Sequence, residues 1–156
     1  MAADHHTDSE GWPTVRLLGL AARLDERRIN RTIAHLGLTK GSLEALETIA
    51  ELHTVKSSEL AALLCVSAQS MGKVVQRLES RGLLTKRRGV DGRTASIELT
   101  QHGADVMAAA ADLLQGLARP RTDTDPAFRR NLAYRISDLR SLEMERAPPP
   151  ATGRGP

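Results

Sequence analysis

The sequence predicts a mainly α-helical (α+β) fold in which one β-hairpin interrupts a series of helices. Hydrophobic side chains make up 40% of the 156 residues, but aromatic ones only 2%. The core is therefore aliphatic, which suits helices better than large sheets. Apolar residues recur at helical spacing in six segments, and one stretch, residues 84–99, has the pattern of two strands. The length fits a single domain.

The first helix is predicted over residues 13–35. Residues 1–12 are polar and residues 147–156 are rich in Pro and Gly, so both segments are predicted to be disordered. Gly37 is expected to end the first helix. Its apolar side chains recur at helical spacing, at Leu17, Leu20, Ala21, Leu24, Ile29 and Ile33.

Two shorter helices follow. The second begins after Thr39, a candidate N-cap, and ends near His53, with Leu43, Leu46 and Ala50 on one face. The third starts around Ser57 or Ser58. Its apolar stripe consists of Leu60, Leu63 and Leu64, and the pattern breaks at Cys65 and Val66.

The fourth helix, residues 67–81, has two chemically distinct faces. Ser67 is its predicted N-cap. One face is apolar and predicted to be buried, with Met71, Val74, Val75 and Leu78 at helical spacing. The opposite face is polar and cationic, which suits a helix lying in a DNA groove, and consists of Gln69, Lys73, Gln76, Arg77 and Ser80.

The hairpin and two more helices complete the chain. Gly82 ends the fourth helix, Leu84–Arg88 is the first strand, and Asp91-Gly92 is a hairpin turn leading to a second strand in which Ile97 and Leu99 alternate with polar residues. The fifth helix is predicted over 101–118. The sixth starts at Asp125, with Pro126 at its first position.

This order of elements predicts a winged helix-turn-helix with a two-stranded β wing and additional N- and C-terminal helices. Positive charge is concentrated in the same region. Residues 67–100 contain seven Lys and Arg residues against three acidic ones, a net charge of +4, whereas the whole chain carries +3. Double-stranded DNA is therefore the predicted partner.

Residues 38–106 resemble the MarR family of bacterial regulators. The segment SSELAALLCVSAQSMGKVVQRLESRGLL is similar to the family's helix-turn-helix, and VDGRTASIELTQHG is similar to its wing. The resemblance implies a homodimer formed by residues 13–36 and 101–146, with a DNA-binding lobe at 38–100. It also implies transcriptional control, with repression of a palindromic operator relieved by a small-molecule effector of the aromatic acid or phenolic type. The effector-binding residues are left unassigned.

In the wing, Asp91 and Arg93 match the family's aspartate-x-arginine. The resemblance implies that Arg93 enters the minor groove while Asp91 orients it. A hairpin arginine is physically suited to a narrow, negatively charged groove, although a solvated turn is the alternative interpretation. Arg87 and Arg88 are candidates for phosphate contact.

On the fourth helix, the residues nearest the N-terminus are expected to read base edges: Gln69, Ser70 and Lys73. Gln76 and Arg77 are expected to meet phosphates. Ser67 is included in the predicted DNA-binding set, although capping alone accounts for it. A solvated helix face is the alternative for the whole group.

Two residues depart from the family pattern. Gly72 lies inside the fourth helix, where glycine costs up to about 1 kcal/mol relative to alanine, and it would let the backbone approach DNA closely. Cys65 stands at a tight turn that often has glycine, so it is expected to occupy a backbone position that prefers positive φ. A redox-sensing role for Cys65 competes with the interpretation of a small buried apolar residue.

Other classes of protein are disfavoured. The single cysteine excludes an internal disulfide and predicts a reducing compartment. No leader peptide or membrane span is recognised, so a cytoplasmic protein without membrane association is expected. His35, His53 and His102 are scattered, so no metal site is predicted. Because no phosphate-binding loop or catalytic motif is present, neither an enzyme nor a cofactor is expected. A non-specific architectural DNA-binding protein stays as an alternative.

Overall fold

The computed structural model describes Ser9 and residues 11–88, 95–117 and 119–146; for Arg88, Arg121 and Arg146 it describes the backbone alone. The chain divides into two compact units, Met1–Gly116 and Leu117–Pro156. Both are mainly helical, as the sequence predicts.

The first unit contains the predicted helices in the predicted order. Its helices are α1 (Thr14–Ile33), α2 (Lys40–Leu52), α3 (Ser57–Leu63), α4 (Ala68–Ser80) and α5 (Gln101–Gln115). A 3₁₀ turn, Ala34–Leu36, extends α1 and ends at Gly37, which adopts φ +66°. α5 is shorter than predicted because Gly116 forms its C-cap.

The sheet has one more strand than the predicted hairpin. Strands β2 (Leu84–Arg88) and β3 (Ala95–Leu99) pair antiparallel, as expected. In addition, β1 (Val55–Lys56) pairs antiparallel with β3 and gives the order β1-β3-β2. Two residues are too few to show strand alternation, so only the pairing with Ile97 and Ser96 identifies β1.

The core of the first unit is aliphatic and lies where α2, α3 and α4 meet the sheet. Its most deeply buried side chains have less than 2% of their surface exposed: Ile33, Leu46, Ile49, Leu60, Val75, Leu78, Leu83 and Ile97. α1 contributes a single buried residue, Ile33, from its last turn. Other apolar side chains of α1 stay at the surface, among them Val15, 70% exposed, and Leu24, 48% exposed.

The junction between α1 and α2 is fixed by side-chain hydrogen bonds. Thr39 caps α2 as predicted: its hydroxyl accepts from the backbone N–H of Ser42, whose own hydroxyl oxygen accepts from the N–H of Thr39 at 2.8 Å. Asn30 on α1 accepts from the N–H of Lys40 at 2.6 Å. A side chain of α1 thus satisfies one of the free donors in the first turn of α2.

The second unit consists of a 3₁₀ turn, Arg121–Thr124, and the helix α6 (Pro126–Arg146). Asp125 precedes α6, and its carboxylate accepts from the N–H of Ala127 at 2.8 Å. α6 carries several large apolar side chains that are exposed: Phe128, Tyr134, Ile136, Leu139, Leu142 and Met144.

Candidate nucleic-acid interface

The helix-turn-helix is formed by α3, the turn at residues 64–67 and α4. At the end of α3 the N–H of Val66 donates to the carbonyl of Ala61 and the N–H of Cys65 to that of Ala62, a Schellman motif. Cys65 occupies the left-handed position at φ +53°, as the sequence predicts. α4 ends in the same motif, with Gly82 at φ +72° in the equivalent place.

The Cys65 side chain is exposed, so the interpretation of a buried apolar cysteine is wrong. The core contacts of this segment come from Leu60 and Ala61, which are buried in α3, and the turn that follows leaves Cys65 and Val66 at the surface. An L-residue in the left-handed region costs about 1–2 kcal/mol relative to a right-handed conformation. The thiol is therefore accessible, in a turn that strains the backbone.

Ser67 caps α4, as predicted. Its Oγ accepts from the backbone N–H of Ser70 at 3.1 Å, and its hydroxyl donates to the Oγ of Ser70 at 2.9 Å. The first turn of α4 is thus rigidly defined. Because the two hydroxyls bond each other, Ser67 and Ser70 have less hydrogen-bonding capacity left for DNA than the sequence alone suggests.

The two predicted faces of α4 are confirmed. Met71, Val75 and Leu78 are buried and Val74 is half-buried. The residues of the opposite face are all exposed: Gln69, Lys73, Gln76, Arg77 and Ser80. Glu79 is the only acidic residue of α4 and lies in its last turn, so the first three turns present only neutral and positive groups.

Gly72 is not required by packing within the protein. A Cβ built at this position meets nothing within 4 Å among the described residues, and the backbone is helical without positive φ. Glycine at this position therefore gives up helix stability with no packing reason. The hypothesis that it allows close backbone approach to DNA stays a prediction.

An ion pair joins the wing to α4, which is the second, or recognition, helix of the helix-turn-helix. Lys86 on β2 bonds Glu79 on α4 at 2.6 Å, and Arg87 bonds Glu98 on β3 at 3.0 Å. The side chain of Arg87 is 71% exposed, so its ion pair is weak and competes poorly with a phosphate. Arg87 therefore stays a candidate for phosphate contact, and for Arg88, whose side chain lies outside the described structure, the contact stays a prediction. Asp91 and Arg93 lie in residues 89–94, outside the described part of the chain.

Arg81, the C-cap of α4, is one of the cations of this region, but its guanidinium is turned toward the protein. Nη1 donates to the carbonyl of Gly37 at 2.7 Å and Nη2 to that of Leu36 at 2.6 Å. The partners are 44 and 45 residues away in sequence. No local sequence signal could have revealed this contact.

The described residues contain neither a cluster of metal ligands nor a membrane-spanning helix. Among the described residues, no three His, Cys, Asp or Glu side chains come together as metal ligands. In the same part of the chain, no helix is both long and apolar enough to cross a membrane.

One family model matches part of the chain. The family model of the MarR family matches residues 38–94, which include α2, α3, α4 and β2. A search of curated proteins finds no significant match.

Solved structures with the same fold cover most of the chain. The M. tuberculosis transcriptional regulator MosR in complex with DNA is 26% identical, with a TM-score of 0.69 over 86% of this chain and 99% of that one. A mutant of E. coli MarR complexed with operator DNA is 21% identical, with a TM-score of 0.67 over 84% and 96% of the two chains. Reduced AbfR bound to DNA is 17% identical, with a TM-score of 0.74 over 82% and 90%.

The family match covers the helix-turn-helix and the first strand of the wing, and the fold shared with MarR-family regulators extends over more than four fifths of the chain. The chain is thus similar to the MarR family over residues 38–94 and shares its winged helix-turn-helix fold with solved MarR-family regulators.

Proposed function

We propose that the protein is a sequence-specific repressor that binds a palindromic operator as a homodimer and is released by a small-molecule effector. The outer face of α4 carries this proposal: an exposed, capped helix surface that holds amide, hydroxyl and cationic groups and lacks a carboxylate in its first three turns. Such a surface matches the donors and acceptors of a major groove. Several structures that share the fold are DNA complexes.

Each contact class has its own candidates. Gln69, Ser70 and Lys73 lie near the N-terminus of α4 and are proposed to read base edges, while Gln76 and Arg77 are proposed to meet phosphates. Arg93, oriented by Asp91, is proposed to enter the minor groove, and Arg87 and Arg88 to contact the backbone beside it.

Exposed apolar side chains support the homodimer. In the first unit, α1 leaves Val15 and Leu24 at the surface, and in the second unit α6 does the same with Tyr134, Leu139 and Leu142. Water-exposed apolar surface of this extent on two separate helices is typical of a protein that buries it against another chain. A second copy of the chain would cover this apolar surface and would place two recognition helices on one palindrome.

An open, exposed face of α1 supports binding of an anionic effector. This face consists of Arg23, Glu26, Arg27, Asn30, Arg31 and Ala34. Its three guanidiniums suit the carboxylate of an aromatic acid. Arg16, which is also on α1, lies over the Trp12 ring with its guanidinium carbon 3.6 Å from the ring centroid.

The proposal is tested by operator binding in the presence of excess random DNA. Lys73→Ala and Arg93→Ala are each expected to weaken operator binding by at least about tenfold, as removal of a base or groove contact does, while light scattering still shows a dimer. Lys40→Ala removes the same charge from α2 and serves as the matched control, with unchanged affinity expected. Unchanged affinity for both Lys73→Ala and Arg93→Ala contradicts the site. If excess random DNA displaces all of the wild-type protein from the operator, the protein is instead an architectural DNA-binding protein.

The exposed Cys65 thiol favours a second mode of control. In this mode, oxidation of the thiol in the turn before α4 abolishes DNA binding. Peroxide or diamide is then expected to release DNA from the wild type but not from Cys65→Ser. Equal DNA affinity of both proteins with and without oxidant eliminates redox control.

A further inference from the structure

We infer that Arg81 is a positioning residue for operator binding, because it fastens the C-terminal end of α4 to the junction between α1 and α2. This inference rests on the proposed function. Both of its hydrogen bonds are short, at 2.6 and 2.7 Å, and both come from the terminal nitrogens of one guanidinium. Such charge-assisted, two-pronged bonds define orientation as well as distance.

The acceptors are the carbonyls at the end of the α1 segment. Leu36 closes the 3₁₀ turn that extends α1, and Gly37 is its C-cap. The last carbonyls of a helix have no partners within it and carry the negative end of its dipole. Arg81 therefore completes the end of α1 from a helix that begins more than 30 residues later in the chain.

Gly37 makes this contact sterically accessible. Its φ of +66° disfavours any side chain, and a Cβ at this position would lie 2.9 Å from Nη2 of Arg81. A side chain at this position would therefore strain the backbone and press against the guanidinium. The clasp, defined as Arg81 with the carbonyls of Leu36 and Gly37, thus depends on both of its ends.

The turn that follows Arg81 is also held by Thr100, the N-cap of α5. Thr100 Oγ1 donates to the carbonyl of Gly82 at 2.7 Å, and the N–H of Thr100 donates to the carbonyl of Leu83 at 3.1 Å. The C-terminal end of α4 is thus fixed to α1 through the clasp and to the start of α5 through Thr100. α1 and α5 belong to the proposed dimerisation helices, so the clasp relates the recognition helix to the dimer.

The orientation of α4 at its C-terminal end determines where Gln69 and Lys73, near its N-terminus, lie relative to the DNA. The 13 residues of α4 extend about 20 Å at 1.5 Å per residue, so a rotation of about 5° at Arg81 displaces the N-terminus by about 1.7 Å. Base contacts tolerate about 0.5 Å. Loss of the clasp is therefore expected to disturb Gln69 and Lys73, although Arg81 itself does not face the DNA.

Salt dependence distinguishes a positioning residue from a residue that neutralises a phosphate. Operator affinity is measured at several salt concentrations on the palindromic site enriched from genomic fragments, for the wild type, Arg81→Ala, Arg81→Lys and Arg77→Ala. Arg81→Ala is expected to lower operator affinity by at least about tenfold with an unchanged slope of log affinity against log salt. Arg77→Ala, the matched control on the outer face, is expected to reduce the slope by about one for each phosphate that it leaves without a cation. Arg81→Lys recovers only part of the affinity, since an ammonium lacks the planar fork.

Spectra of the free protein test the clasp without DNA. In Arg81→Ala the amide resonances of Gly37 and Gly82 are expected to shift, while circular dichroism still shows a folded protein; if Arg81→Ala does not fold, Arg81→Lys replaces it. Wild-type operator affinity in both Arg81 variants overturns the inference, as does a salt slope reduced as in Arg77→Ala. Absence of operator preference in the wild type instead overturns the proposed function.

Discussion

Gly103, in the first turn of α5, packs directly on the backbone of the turn after α4. A methyl group at this position would overlap the carbonyl oxygen of Leu83 and come within 2.7 Å of Leu99 Cδ1. The carbonyl belongs to the backbone and is already held by Thr100, so it cannot move aside as a flexible side chain does. Gly103→Ala is therefore expected to force α5 away from residues 82–83.

The magnitude follows from two opposing contributions. Alanine is better than glycine within a helix by up to about 1 kcal/mol, whereas overpacking a closely packed site typically costs about 1–3 kcal/mol. Because the obstacle is a backbone carbonyl, we expect a cost near the upper end and a net loss of about 1–2 kcal/mol. For a chain of this length, each kcal/mol lowers Tm by about 2–4 °C.

Gly72→Ala is the matched control, since it is the same substitution in a helix with open space around the added methyl group. It retains the helix-propensity gain without the clash, so a gain in stability of up to about 1 kcal/mol is expected. Urea unfolding monitored by circular dichroism measures both variants. Changes of the same sign in both would refute the assignment of Gly103 as a packing glycine and Gly72 as a free one.

Two further predictions concern α4 and α2. Ser67→Ala removes the cap of α4 and is expected to lower the free energy of unfolding by about 1 kcal/mol. Ser80 is an exposed serine of the same helix, and Ser80→Ala is expected to change this free energy by less than about 0.5 kcal/mol. Equal losses in the two variants would contradict a stabilising role of the Ser67 cap. On α2, burial raises the pKa of Glu47, and the charges of Glu44 and Glu51 raise it further. The native state therefore holds the Glu47 proton more tightly than the unfolded state, and stability falls as pH rises through the native pKa. Glu47→Gln is expected to have a higher Tm than the wild type at pH 7, with a difference that shrinks as pH falls below the ordinary value of 4.5; a Tm at pH 7 that is equal to or lower than that of the wild type would contradict the shift.

Local signals predicted α4 well because its determinants all lie within residues 67–82. Ser67 caps it, apolar residues at helical spacing bury one face, and Gly82 occupies the left-handed position that ends it. Since these signals act through neighbouring backbone groups and one helix surface, both the bounds of the helix and its exposed face follow from the sequence.

Long-range contacts were beyond sequence reasoning. β1 exists because Val55 pairs with Ile97, and the clasp exists because Arg81 reaches a carbonyl 44 residues away. In both cases tertiary packing determines the contact, and no periodic pattern accompanies it. The burial predicted for Cys65 was wrong for a related reason: its apolar neighbours are adjacent in sequence, but the turn places Cys65 at the surface.

The central claim is that the outer face of α4, held by two copies of the chain, reads a palindromic site. Selection of fragments from the source genome by the full-length protein tests this most directly. The account predicts an enriched palindrome with half-sites roughly 34–36 Å apart, one helical turn, and predicts that Lys73→Ala loses the enrichment. Recovery of fragments that share no sequence, or the same palindrome recovered equally by Lys73→Ala, would contradict it.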